Sequence, residues 1–164
     1  MKIFIKSRKE IEAIYSKDGL SQKTAVISIT DYECDFAYLK NKPTFLLQLD
    51  FDDVDNDVIV DEVGKNPTIE QIKLIEEKYH MFSEQQALEI ASFYFKVCNE
   101  AEIVICQCEH GQSRSAAVAA AILEFTCKKG INIFSDDRYY PNKVVFRKTL
   151  NALKKLDSEM DGYV

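Results

Sequence analysis

The short segment Gln107–Arg114 separates an apolar run, Ile103-Val104-Ile105-Cys106, from an alanine-rich stretch between Ser115 and Lys128. The first reads as a buried strand and the second as a core helix, closed by Gly130. A buried strand joined this tightly to a buried helix leaves few fold classes open. It belongs to a layered α/β domain with a mainly parallel sheet, where ligands sit at the carboxyl ends of strands.

The rest of the chain agrees with that class. Lys2 to Ile5 reads as a short strand, and Ser7-Arg8-Lys9-Glu10 has the form of a capping box leading into Ile11, Ile14 and Tyr15. Ala25 to Thr30 and Thr44 to Leu49 read as further buried strands. Residues Asp50 to Asn66, acidic and bearing Gly64, read as a long surface loop. Thr68 to Tyr79 fits a helix. Ser83-Glu84-Gln85-Gln86 is a second capping box, ahead of Ala87, Leu88, Ala91 and Phe95. Pro141 suits the first turn of a last helix running to about Leu156. With no repeat and no linker, the expectation is one α/β domain over residues 1–164, its central sheet mainly parallel and flanked by helices.

The loop Cys108-Glu109-His110-Gly111-Gln112-Ser113-Arg114 carries the chemistry. Gly111 permits a tight turn. Backbone N–H groups of such a turn, aimed inward at a helix N-terminus, form a nest for an anion. Glu109, His110, Gly111, Gln112, Ser113 and Arg114 are therefore the expected phosphate-binding residues. A positive nest favours the thiolate of Cys108, and the planar fork of Arg114 can grip two phosphate oxygens. Only Cys108, among five cysteines, has an arginine six places later.

The segment Gln107-Cys108-Glu109-His110-Gly111-Gln112-Ser113-Arg114-Ser115 resembles the signature of the cysteine-dependent protein tyrosine phosphatases, of the compact dual-specificity type in particular. The resemblance is tight from Ile103 to Ala121 and extends, in element order only, from Ala25 to Leu156. It implies Cys108 as nucleophile through a thiophosphate intermediate, Arg114 as phosphate ligand and Ser115 as a hydrogen-bond donor to the sulfur. It implies no metal and no other cofactor. Gln107 stands where the family usually has His, a departure that bears on the acidity of the cysteine.

The resemblance also implies an aspartate general acid after an upstream strand. The strand ending at Leu49 runs into Asp50-Phe51-Asp52-Asp53-Val54-Asp55. Register makes Asp53 the first choice, with Asp52 and Asp55 next. The distance to Cys108 suggests an insertion near Asn56 to His80.

A net charge of −6 and a pI near 5.0 argue against a nucleic-acid partner. A charged N-terminus and the absence of an apolar stretch near ~20 residues argue against a signal peptide and a membrane span, so the expected location is cytoplasmic and the cysteines are expected to be reduced. Cys106, Cys108 and His110 alternate, which is the wrong spacing for zinc. Cys106 reads as core, and Arg138 and Arg147 as surface. The expected partner is a phosphorylated protein or peptide, carrying phosphotyrosine, with phosphoserine and phosphothreonine as further candidates. The same loop would serve an RNA 5′-triphosphatase, a phosphoinositide phosphatase or a catalytically silent phosphate-binding module.

Overall fold

The computed structural model describes residues 1–17, 20 and 22–161; the last three residues of the expected domain lie outside that description. Four strands, β1 (Lys2–Ser7), β2 (Thr24–Thr30), β3 (Phe45–Asp50) and β4 (Ile103–Cys108), form one sheet in the order β1-β4-β2-β3. Every pairing is parallel. Helices α1 (Arg8–Ser16), α2 (Asn56–Val63), α3 (Ile69–Lys78), α4 (Glu84–Val97), α5 (Arg114–Cys127), α6 (Ile131–Phe134) and α7 (Lys143–Asp161) make the connections and the covering layers.

Alternation along the strands divides the core in two. Val104, Cys106 and Cys108 of β4 join Ala25, Ile27 and Ile29 of β2 under α4, α5 and α7. Ile103 and Ile105 face the other way, with Val26, onto Ile11 and Tyr15 of α1. The alanines of α5 explain its position. Ala116, Ala117, Ala119, Ala120 and Ala121 are fully buried, and short side chains let this helix lie close to the sheet.

Both predicted capping boxes form, at Ser7 and Ser83, and a third at Thr68 opens α3. Three boundaries differ from the sequence reading. The supposed loop after Asp50 contains α2, capped by Asp55. Its Val58, Ile59 and Val63 pack with Val54, Ile75, Met81 and Val144 in a small separate cluster, a partnership invisible to local periodicity. Helix α5 ends on Lys128 in the left-handed conformation, at φ 58°, rather than at Gly130. Gly130 instead precedes α6, where a Cβ would stand 2.6 Å from the Ala120 carbonyl oxygen. Pro141 lies just outside α7, and Asn142 caps that helix, its Oδ1 accepting from the Val145 N–H at 3.0 Å.

Candidate active site

The carboxyl ends of all four parallel strands meet at one place. Strand β4 ends on Cys108, and α5 begins on Arg114, so Glu109 to Ser113 form the turn between them. Gly111 has φ +70°, and a Cβ there would meet the Ser7 nitrogen at 2.6 Å and the Lys6 carbonyl carbon at 2.8 Å. The turn is pressed against the β1–α1 junction, and only glycine allows both the backbone angle and the approach. Gly111→Ala is expected to destabilise the fold by at least about 1–2 kcal/mol, read as a lowered Tm; an unchanged Tm would mean the junction moves aside freely.

Outside contacts hold the turn's carbonyls. The Glu109 oxygen accepts from Arg8 N–H at 3.1 Å, and the Gln112 oxygen from Tyr140 N–H at 2.9 Å. In a trans peptide the N–H of the next residue points opposite to the carbonyl. The N–H groups of His110 and Ser113 therefore point away from Arg8 and Tyr140. Ser113 makes no side-chain cap for α5; its hydroxyl donates instead to Asp53 Oδ1 at 2.8 Å. The first residues of α5, Arg114, Ser115 and Ala116, are buried all the same. A buried helix head with no capping side chain is an anion site in waiting.

Cys108 is buried, with its Sγ 3.0 Å from Ser115 Oγ. Cys106, two places earlier on the same face, is wholly enclosed, and burial pushes its thiol far up, which makes it an inert core thiol. Gln107 points to the opposite face, fully buried, where its Oε1 accepts from Ser28 Oγ at 2.7 Å. Its amide thus ties β4 to β2, and its Nε2 has no partner among the described residues.

Arg114 is only 3% exposed. Its Nη1 donates to the Phe51 carbonyl at 2.7 Å and to Asp31 Oδ1 at 2.7 Å. Its Nε has no hydrogen-bond partner among the described residues and lies 3.8 Å from Asp53 Oδ2. One side of the guanidinium is thus anchored to the protein, while Nε on the other remains free to donate.

The three candidate aspartates separate cleanly. Asp52 Oδ1 accepts from the Tyr32 N–H at 3.2 Å. Asp55 caps α2 through Asn56 N–H and accepts from Lys143 N–H at 3.2 Å. Only Asp53 reaches the turn, through Ser113, and Asn142 Nδ2 donates to the same Oδ1 at 2.9 Å. Asn142 also donates to the Val54 carbonyl at 3.0 Å. The cap of α7 therefore orients Asp53, a role that reading Pro141 as the start of a helix did not foresee.

Arg8 is a second residue outside the sequence reading. Its Nε binds Glu109 Oε2 at 2.5 Å, and its Nη2 donates to Thr30 Oγ1 and the Asp35 carbonyl. It clamps the turn to the segment after β2. Arg8, Asp31 and Asp53 each sit at or just past the end of a parallel strand, and that position is the signal which could have singled them out. His110 is exposed and has no hydrogen-bond partner among the described residues. Arg138 is paired with Asp136, which it holds down at about 2. Arg147 lines a cavity of about 300 Å³ between α2, α3 and α7, away from the turn. Among the described residues no three His, Cys, Asp or Glu side chains gather as a metal set, and no helix is long and apolar enough to cross a membrane.

No family model matches the sequence, and no curated protein matches it. Solved structures do. PTPMT1 in complex with PI(5)P superposes with a TM-score of 0.55 at 14% identity, over 97% of this chain and 94% of that one. Human DUSP28 superposes with a TM-score of 0.54 at 12% identity, over 96% and 94%. The fold is that of the cysteine-based protein tyrosine and dual-specificity phosphatases. In this phosphatase fold the chain is covered nearly end to end, so the expected α/β class and parallel sheet hold, with the sheet wholly parallel rather than mainly so.

Proposed function

We propose that the protein is a cysteine-dependent phosphatase that hydrolyses phosphate monoesters, phosphotyrosine first among them, without a metal. The observation that carries this reading is Arg114: a buried guanidinium at the uncapped head of α5, anchored through Nη1 and left with Nε unpaired. An unsatisfied buried donor costs about 1–3 kcal/mol, and a phosphate oxygen in the turn would satisfy it. Tyr140, exposed beside Gln112, offers an aromatic surface at the rim.

In the first step the Cys108 sulfur attacks phosphorus. The S–P bond forms as the bond to the ester oxygen breaks, and the Asp53 carboxyl gives its proton to the departing oxygen. Then water attacks phosphorus, its proton goes to the Asp53 carboxylate, and the S–P bond breaks. Ser115 donates to the returning thiolate at its 3.0 Å contact. Charge that builds on the equatorial oxygens meets Arg114 and the inward N–H groups.

Asp53→Asn keeps the bonds to Ser113 and Asn142 in reach but removes the acid. Its kcat should fall about 10²–10⁴-fold with an alkyl or other poor leaving group and far less with a nitrophenolate, which leaves unaided. Equal losses on both substrates would remove Asp53 from that role. The reading as a whole is tested by hydrolysis of an aryl phosphate in the presence of a chelator, with wild type beside Cys108→Ser. Turnover confined to wild type supports it; turnover in neither, from mildly acidic to neutral pH, points to a silent phosphate-binding module.

A second reading, a phosphoinositide substrate, draws on the likeness to PTPMT1, which was solved with PI(5)P. It uses the same turn and differs only in what surrounds the phosphate.

A further inference from the structure

The surroundings of the turn are unevenly charged. No Lys or Arg lies between Cys108 and Arg114. Glu109, the one charged residue there, is paired with Arg8. Arg8 in turn is enclosed by Glu109, Glu12, Thr30 and the Asp35 carbonyl, so its charge is already engaged. After β2 come Asp31, Glu33 and Asp35, and after β3 come Asp52 and Asp53. Asp31, half-exposed, and Asp53 both stand beside Arg114. Asp52 joins the two segments through Tyr32 N–H, and Tyr32 stacks on His80 at 3.5 Å between ring centroids. The charge of Glu33 is the largest influence pushing the Tyr32 hydroxyl up, followed by burial, a hydrogen bond with Glu33 and, last, the charge of Asp50. On the far side, toward Tyr140, Arg138 is paired with Asp136, while Lys143 at the start of α7 donates its backbone N–H to Asp55, its exposed ammonium making no ion pair among the described residues. The site thus holds one deep cation for one phosphate, and a carboxylate rim on its β2–β3 side.

We propose that this rim selects phosphorylated peptide segments carrying Lys or Arg beside the phosphorylated residue, and disfavours polyanionic substrates such as inositol phospholipids, with Glu33 and Asp35 as specificity-determining residues. The inference rests on the phosphatase reading. Once one phosphate occupies the nest, Arg114 is engaged, and a second phosphate or an acidic flank at the rim meets carboxylates of like charge. A basic flank meets opposite charge. Each rim pairing of this kind is worth roughly two- to fivefold in affinity, so two flanking cations should give about tenfold. Added salt should shrink the effect, because charges at the rim are screened over about 8–10 Å near physiological ionic strength.

The test compares two peptides identical except for Arg or Glu on either side of one phosphotyrosine, with short-chain PI(5)P and an aryl phosphate alongside. Wild type should show kcat/KM about tenfold higher for the Arg-flanked peptide than for the Glu-flanked one, mostly in KM, and narrowing toward unity at 0.5 M salt (roughly a 4 Å screening length). PI(5)P should be slower than the Arg-flanked peptide. The double variant Glu33→Gln, Asp35→Asn should lower the peptide ratio about three- to fivefold through KM. Equal rates on the two peptides, or a preference for PI(5)P, from an enzyme that does hydrolyse the aryl phosphate would overturn this inference and leave the phosphatase reading standing. If no phosphate ester is hydrolysed, that reading falls, and fluorescence anisotropy of the same peptides still decides the rim: tighter binding of the Arg-flanked peptide supports it, and equal Kd values overturn it.

Discussion

Cys108→Ser is expected to lower kcat by on the order of 10⁴–10⁶-fold, the scale seen when a covalent nucleophile is removed, while phosphopeptide binding stays within a few-fold of wild type. A serine hydroxyl ionises far less readily than a thiol and is a poor nucleophile without a general base beside it. Among the described residues no His, Asp or Glu is hydrogen-bonded at Cys108; its partner is Ser115. Binding should be spared because the elements proposed to hold the anion lie elsewhere: the turn's carbonyls stay fixed by Arg8 and Tyr140, and Arg114 stays anchored to Asp31 and Phe51. Stopped-flow hydrolysis of an aryl phosphate and peptide anisotropy separate the two effects. A variant that turns over within tenfold of wild type would falsify the covalent route, and one that neither binds nor turns over would mean the substitution had broken the nest.

Arg114→Lys is the second large effect. An ammonium is a single point charge, so it cannot serve Asp31, the Phe51 carbonyl and a phosphate with the geometry of a planar fork. If it reaches the phosphate, it abandons the anchor; if it keeps the anchor, it abandons the phosphate. A fall of about 10²–10³-fold in kcat/KM is expected, shared between a raised KM and a lowered kcat, because the grip strengthens as charge moves onto the equatorial oxygens. Stability should drop by about 1–3 kcal/mol as a buried acceptor loses its partner. Steady-state kinetics with a thermal melt reads both. A kcat/KM within threefold of wild type would show that the guanidinium fork is not what holds the phosphate.

Why the helix ends were readable and the acid loop was not follows from where their determinants lie. The capping boxes at Ser7 and Ser83 are closed within three residues, so the sequence carries both partners side by side. Helix α2 depends on Val144, far along the chain, for part of its buried face, and its own acidic residues hide the apolar spacing. Gly130 looked like a helix end because glycine usually takes the left-handed position. Here Lys128 takes it, and the close approach of Ala120 and Glu124 demands glycine two places later.

The proposed catalytic motif itself is local. An apolar strand, a turn with glycine at its middle and a buried alanine-rich helix are continuous in sequence, and that continuity alone determines an α/β layer with the proposed anion nest at a strand end. What sequence could not decide is which distant groups converge on the nest. Three aspartates within four residues look alike on paper; the partners that separate them, Tyr32 for Asp52, Ser113 and Asn142 for Asp53, and Lys143 for Asp55, come from elsewhere in the chain. Asp31 and Arg8 belong to the site for the same reason. Parallel strands bring all their carboxyl ends to one edge of the sheet, and only the order β1-β4-β2-β3 puts the ends of β1 and β2 on either side of Cys108.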